Sequence, residues 1–165
     1  MFKKWFKGKE EMKETVLYAP VNGEIVPLEQ VPDPVFSEKM MGDGIAIRPS
    51  DGEFCSPVDG MVVLIPETKH AIGLKTEDNI EILIHIGLET VSLKGQGFEV
   101  LVNAGDKVAV GQPVVKADLT YIREHAKDTI TPIVITNNES GKEKIAFSQE
   151  KDAIKGKTVL MTFSK

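Results

Sequence analysis

The chain has 165 residues, of which 41% are hydrophobic and 27% charged, with a formal net charge of −5; this suits one domain able to bury roughly two thirds of the surface its unfolded chain exposes. The acidic balance argues against nucleic acid as a partner, and no apolar run approaches the ~20 residues that a membrane span needs. A single cysteine, Cys55, excludes an internal disulfide, suits a reducing cytoplasm and reads as a small, chemically inert half-buried residue.

Residues 1–15 read as a tail. In MFKKWFKGKEEMKE (1–14), Phe2, Trp5 and Phe6 fall on one helical face among Lys3, Lys4, Lys7 and Lys9. Two readings stand for it: an amphipathic anchor making weak contact with anionic lipid, or a flexible, solvated tail, since so short a helix is unstable alone. It carries neither an apolar signal region nor a small-residue cleavage site, so a cytoplasmic chain is expected.

From Val16 the pattern is β. Short apolar stretches recur at 16–19, 24–28, 44–48, 61–65, 71–75, 80–86, 98–102, 113–117, 132–136 and 158–163. Turn signals separate them, among them Asn22-Gly23, Gly42-Asp43-Gly44, Asp59-Gly60, Asp78-Asn79 and Gly105-Asp106. Many short strands at close spacing predict a sandwich or barrel. Only 118–128, 34–41 and 149–155 have helical character, with Asp118 a candidate cap for the first. No boundary divides 16–165, which is expected to be one all-β domain with a few short helices.

Two segments, SPVDGMVVLI (56–65) and AGDKVAVGQPVV (104–115), resemble the half-motifs of biotinyl and lipoyl carrier domains. The lysine that such carriers modify is missing between them, so the likeness points to barrel-sandwich packing and not to a carrier of that kind.

The chain has three histidines, His70, His85 and His125. In EILIHIG (81–87), alternation puts Ile82, Ile84 and Ile86 on one face and Glu81, Leu83 and His85 on the other. For His70, alternation predicts a face shared with Ile72 and Leu74. A hairpin through TEDN (76–79) would set the two histidines on neighbouring strands, where facing residues lie about 5 Å apart. Three readings compete at this point. Each histidine is a separate hydrogen-bonded structural residue; or the pair binds zinc, although a catalytic zinc usually has three protein ligands; or one imidazole is a nucleophile for a phosphoryl group and the other supports it.

A run of motifs then narrows the choice. They are APVNGEIVPLEQVPDPVFSEKMMGDGIAIRP (19–49), SPVDGMV (56–62), ETKHAIGLKTEDNIEILIHIGLETVSLKGQGFEV (67–100), GDKVAVGQPV (105–114) and AKDTITPIVITN (126–137). In this order they resemble the glucose-type enzyme IIA (EIIA type-1) domain of the bacterial phosphoenolpyruvate-dependent sugar phosphotransferase system, over nearly all of 16–165. The resemblance implies an antiparallel β-sandwich of Greek-key or jelly-roll style. It implies a phosphotransferase component that takes a phosphoryl group from phospho-HPr on a histidine and passes it to the cysteine of an enzyme IIB domain, with no cofactor. The accepting histidine falls on His85, the supporting histidine on His70 and a nearby hydroxyl on Thr68. Gly87 could offer its carbonyl to His85 Nδ1, leaving Nε2 as the nucleophile.

Docking of two partners implies an exposed apolar ring, for which Val35, Phe36, Met40, Met41, Leu83 and Val91 are the candidates, with Glu89 close by. The family often has aspartate at the position of Glu89 and an aromatic at that of Pro66; these departures bear on which IIB partner is preferred. An alternative role is a regulatory module whose dephospho form binds target proteins through the same two-histidine face, with a zinc ion shared by His70 and His85 across such an interface. No intrinsic metal site is expected. The Gly-Asp-Gly of MGDGIAI (41–47) lacks the lysine and hydroxyl residue of a phosphate-cradling loop and reads as turn geometry. His125 reads as a surface residue.

Overall fold

The computed structural model describes residues 14–138 and 144–164. The strands are β1 (Glu14–Tyr18), β2 (Gly23–Pro27), β3 (Asp43–Pro49), β4 (Glu53–Cys55), β5 (Gly60–Leu64), β6 (Ala71–Lys75), β7 (Glu81–His85), β8 (Phe98–Val100), β9 (Lys107–Val108), β10 (Pro113–Ala117), β11 (Thr131–Ile135), β12 (Lys144–Phe147), β13 (Asp152–Ala153) and β14 (Val159–Ser164). Among the described residues there are also two short helices, α1 (Pro34–Ser37) and α2 (Leu119–His125), and 3-10 turns at Leu28–Gln30 and Val91–Leu93. All strand pairs are antiparallel. The large sheet runs β13-β2-β3-β11-β7-β6-β5-β9, and two three-stranded sheets, β1-β14-β12 and β4-β10-β8, complete an antiparallel β-sandwich.

The central strands of the large sheet bury both faces, which is why they read as nearly unbroken apolar runs. Ile45, Ile47, Ile72, Leu74, Ile82, Ile84, Ile133 and Ile135 point into the main core, where Leu17, Phe54, Val114, Leu160 and Phe163 meet them from the smaller sheets. The intervening positions, Ala46, Ala71, Leu83 and Val134, point to the opposite face. There a second cluster forms with Val26, Leu28, Val31, Phe36, Leu88 and Ile130. The chain between β2 and β3 lies over it as a cap, and His85 stands at its margin.

Several sequence expectations change. The stretch 149–155 is not helical: it holds β13, paired with Glu24 and Gly23 of β2, and Ile25 N–H donates to Lys151 O at 2.7 Å. Sheet pairing here outweighs a weak helical pattern. Within 34–41 only four residues are helical, because the chain turns at Lys39 with φ 60°. Glu14 and Thr15, assigned to the tail by sequence, pair with Ser164 and Phe163. The aromatic-lysine segment before them lies outside the described residues. Asp118 caps α2 as expected, its carboxylate accepting from Tyr121 N–H at 3.1 Å.

Candidate functional site

His85 ends β7 on the side of Leu83, directly opposite Ala71 in the pairing with β6. The face read from alternation is therefore correct: the imidazole looks away from the main core and onto the second cluster. Phe36 packs on it, with ring centroids 5.0 Å apart. His70 reaches the same place by a different route. Pure alternation would send it with Ile72 into the main core. Instead it lies in a bend before β6, after Lys69 at φ 59°. Its carbonyl still accepts from Ile86 N–H at 2.7 Å, while the side chain leaves the pleat. The two imidazoles meet edge to face, centroids 4.8 Å apart and planes at 75°.

The hydrogen bonds constrain the protons. His85 Nδ1 lies 2.8 Å from Gly87 O. A carbonyl oxygen only accepts, so Nδ1 carries the hydrogen and Nε2 keeps its lone pair. Gly87 has φ 78°, and a Cβ on it would sit 2.8 Å from Asp128 O and 2.7 Å from the Thr90 methyl, so only glycine fits. Thr68 Oγ1 and His70 Nδ1 are 2.7 Å apart, with Thr68 in the turn closed by Lys69 N–H donating to Pro66 O. Burial lowers the pKa of both histidines. For His70 it falls to about 4, from desolvation first and then the neighbouring His85. For His85 desolvation outweighs the Gly87 hydrogen bond and the Asp33 charge, which act to raise it. At neutral pH both rings are uncharged, and each keeps one nitrogen lone pair free of a proton.

Of the residues expected to form a docking ring, four stand at the surface. Val35, Met40, Met41 and Val91 are exposed, Met40 at 68% and Val91 at 55%. Phe36 and Leu83, expected in the exposed ring, are instead buried at 3% and 8%. They form the floor beneath His85, because the α1 cap and the sheet close over them. Glu89 is exposed with φ 58°. Sequence reasoning missed Asp33. It caps α1, accepting from Val35 N–H at 3.0 Å ahead of Pro34, and its charge acts on His85. The Asp-Pro pair of a helix start was a readable signal for it.

Other candidates fall away from the site. Gly44 lies where a Cβ would overlap Ile133 O, so the Gly-Asp-Gly serves the close approach of β3 and β11 and not a phosphate. His125 is exposed on α2, stacked on Tyr121 at 4.1 Å with Nδ1 bonded to Tyr121 O. Cys55 is buried, and desolvation raises its thiol pKa, which leaves it unreactive. Among the described residues no cluster of three or more His, Cys, Asp or Glu could hold a metal ion. No helix among them is long and apolar enough to cross a membrane.

The family model for the phosphoenolpyruvate-dependent sugar phosphotransferase system, EIIA 1, matches residues 15–141. This chain belongs to that family. The EIIA chain is 52% identical over 159 residues to the PTS system glucose-specific EIIA component of Staphylococcus aureus (strain COL), covering 96% of this chain and 95% of that protein. It is 63% identical over 122 residues to the PTS system glucoside-specific EIICBA component of Staphylococcus carnosus (strain TM300), a match covering 74% of this chain and 18% of the longer protein. Among solved structures, the glucose permease IIA from Mycoplasma capricolum superposes with a TM-score of 0.83 at 39% identity, covering 91% of this chain and 96% of that one. The EIIA protein is accordingly a phosphoryl carrier of the sugar phosphotransferase system.

Proposed function

We propose that His85 is the residue that carries the phosphoryl group, bonded through Nε2. The observation behind this reading is the 2.8 Å contact of Nδ1 with Gly87 O beside a second imidazole. As the N–P bond of phospho-HPr breaks, a new one forms at His85 Nε2. The group then leaves for the cysteine sulfur of an enzyme IIB domain. Phosphoryl transfer has a loose transition state, so the protein mainly positions the partners and balances charge. His70, with Nδ1 accepting from the Thr68 hydroxyl, would turn Nε2–H outward as a donor to phosphoryl oxygens.

The exposed rim of Val35, Met40, Met41 and Val91 would serve both partners, since methionine adapts to different surfaces. The longer relative named EIICBA supports partnership with IIB and IIC parts. A cytoplasmic location follows from this chemistry. The same adaptable rim favours a second reading, in which the dephospho form also binds regulatory targets through this face. Residues 16–165 act as the phosphoryl-carrying unit in this proposal.

The test uses enzyme I, HPr and labelled phosphoenolpyruvate. The protein should gain an acid-labile, base-stable label that His85→Ala lacks. His70→Gln should take up the label but pass it on poorly to IIB. A His85→Ala protein that still became labelled would refute the assignment.

A further inference from the structure

We propose that Thr90 is a positioning residue for the phosphoryl acceptor, acting on His85 through the Gly87 carbonyl; this rests on His85 being that acceptor. One carbonyl decides which nitrogen of His85 is the nucleophile, so whatever aims that carbonyl governs the chemistry. Gly87 is joined to its neighbours by two peptide planes, and each is held from outside. The Ile86–Gly87 plane is held by Thr90, whose hydroxyl donates to Ile86 O at 2.8 Å. The Gly87–Leu88 plane is held by its N–H, which donates from Leu88 to Asp128 O at 2.8 Å.

In a trans peptide the N–H and C=O point in opposite directions. Anchoring Leu88 N–H on Asp128 therefore turns Gly87 O the other way, onto His85 Nδ1. The chained bonds also polarise one another, which strengthens the carbonyl as an acceptor. The Asp128 side is itself braced. Lys127 N–H donates to Leu88 O at 3.2 Å, Ile130 N–H donates to Asp128 Oδ1 at 2.8 Å, and Lys127 Nζ donates to Pro32 O at 2.7 Å in the cap. The Ile86 side depends on a side chain. Thr90 is fully buried, and its methyl lies against Gly87, 2.7 Å from where a Cβ would stand. Its hydroxyl and methyl thus grip the turn at once. The hydroxyl of Ser92, nearby in sequence, is bonded to Glu89 O on the surface and has no such hold.

The full chain carrying Thr90→Val, Thr90→Ala or Thr90→Ser is labelled with ¹⁵N-histidine, and the tautomer of His85 is read by NMR beside the rate of phosphorylation by phospho-HPr. Thr90→Val and Thr90→Ala should lower the Nδ1–H population of His85 and slow phosphorylation by about tenfold, the equivalent of one net hydrogen bond. Thr90→Ser keeps the hydroxyl and should restore both. Either hydroxyl-free variant, folded and with an unchanged tautomer, would overturn the inference; so would failure of Thr90→Ser to restore it. Because the tautomer is read without any phosphate, this result is separate from the labelling of His85→Ala, which tests the acceptor itself.

Discussion

The pH dependence of stability gives a direct test of how His70 is buried. Its folded pKa lies at about 4 against an ordinary 6.5, because desolvation and the neighbouring His85 oppose the charged ring. Above about pH 6.5 both folded and unfolded chains hold this ring neutral, so it adds no slope there. As pH falls through that value the unfolded chain takes up the proton and the folded chain does not. Stability is then lost progressively until the folded ring itself titrates near 4. At 1.36 kcal/mol per pKa unit the full window is worth about 3 kcal/mol, and screening at a ring that is not fully enclosed brings this to about 2 kcal/mol. His85 is displaced in the same direction and adds to the loss. Urea unfolding at about pH 7.5 and about pH 4.5 should show the wild type losing about 2 kcal/mol more than His70→Gln, whose amide does not titrate. An NMR titration of the His70 ring should place its midpoint well below the ordinary value. A midpoint near 6.5, or equal acid losses in both proteins, would refute the account of a desolvated neutral pair.

Gly87→Ala places a Cβ 2.8 Å from Asp128 O at φ 78°; a loss of about 2 kcal/mol or more in urea unfolding is expected, with slower phosphorylation as the carbonyl leaves His85. Phe36→Ala removes the buried ring beneath His85 and should lower stability by about 3 kcal/mol, read as a shift in the urea midpoint. Met40→Asp, on a side chain 68% exposed, should leave stability within about 0.5 kcal/mol yet raise the HPr concentration needed for half-maximal phosphorylation. Unchanged HPr dependence in that variant would remove Met40 from the docking surface.

Much of this molecule is legible from local pattern. A strand's pleat repeats every two residues, so EILIH assigns His85 to the Leu83 face with no knowledge of its neighbours, and the structure agrees. The longer strands and the Asp118 cap follow from equally local rules. Four short strands do not: Glu53–Cys55, Lys107–Val108, Lys144–Phe147 and Asp152–Ala153 lie outside the apolar stretches read from sequence and exist because a distant edge pairs with them. So few residues carry too little periodicity to announce themselves.

The chain alone determined that His85 would stand off the main core, that Gly87 would lie two residues beyond it, and that short antiparallel strands would dominate. The hairpin through 76–79 brings His70 beside His85 as the sequence led one to expect, but only the tertiary structure decided how, since a backbone bend at Lys69 lifts that side chain out of the alternation which would have buried it elsewhere. It likewise set Phe36 and Leu83 beneath the imidazole and not around it. Side-chain direction along one strand follows from covalent geometry, whereas the meeting of two segments depends on where each strand breaks, and that is settled by the whole sheet and the cap that closes over it.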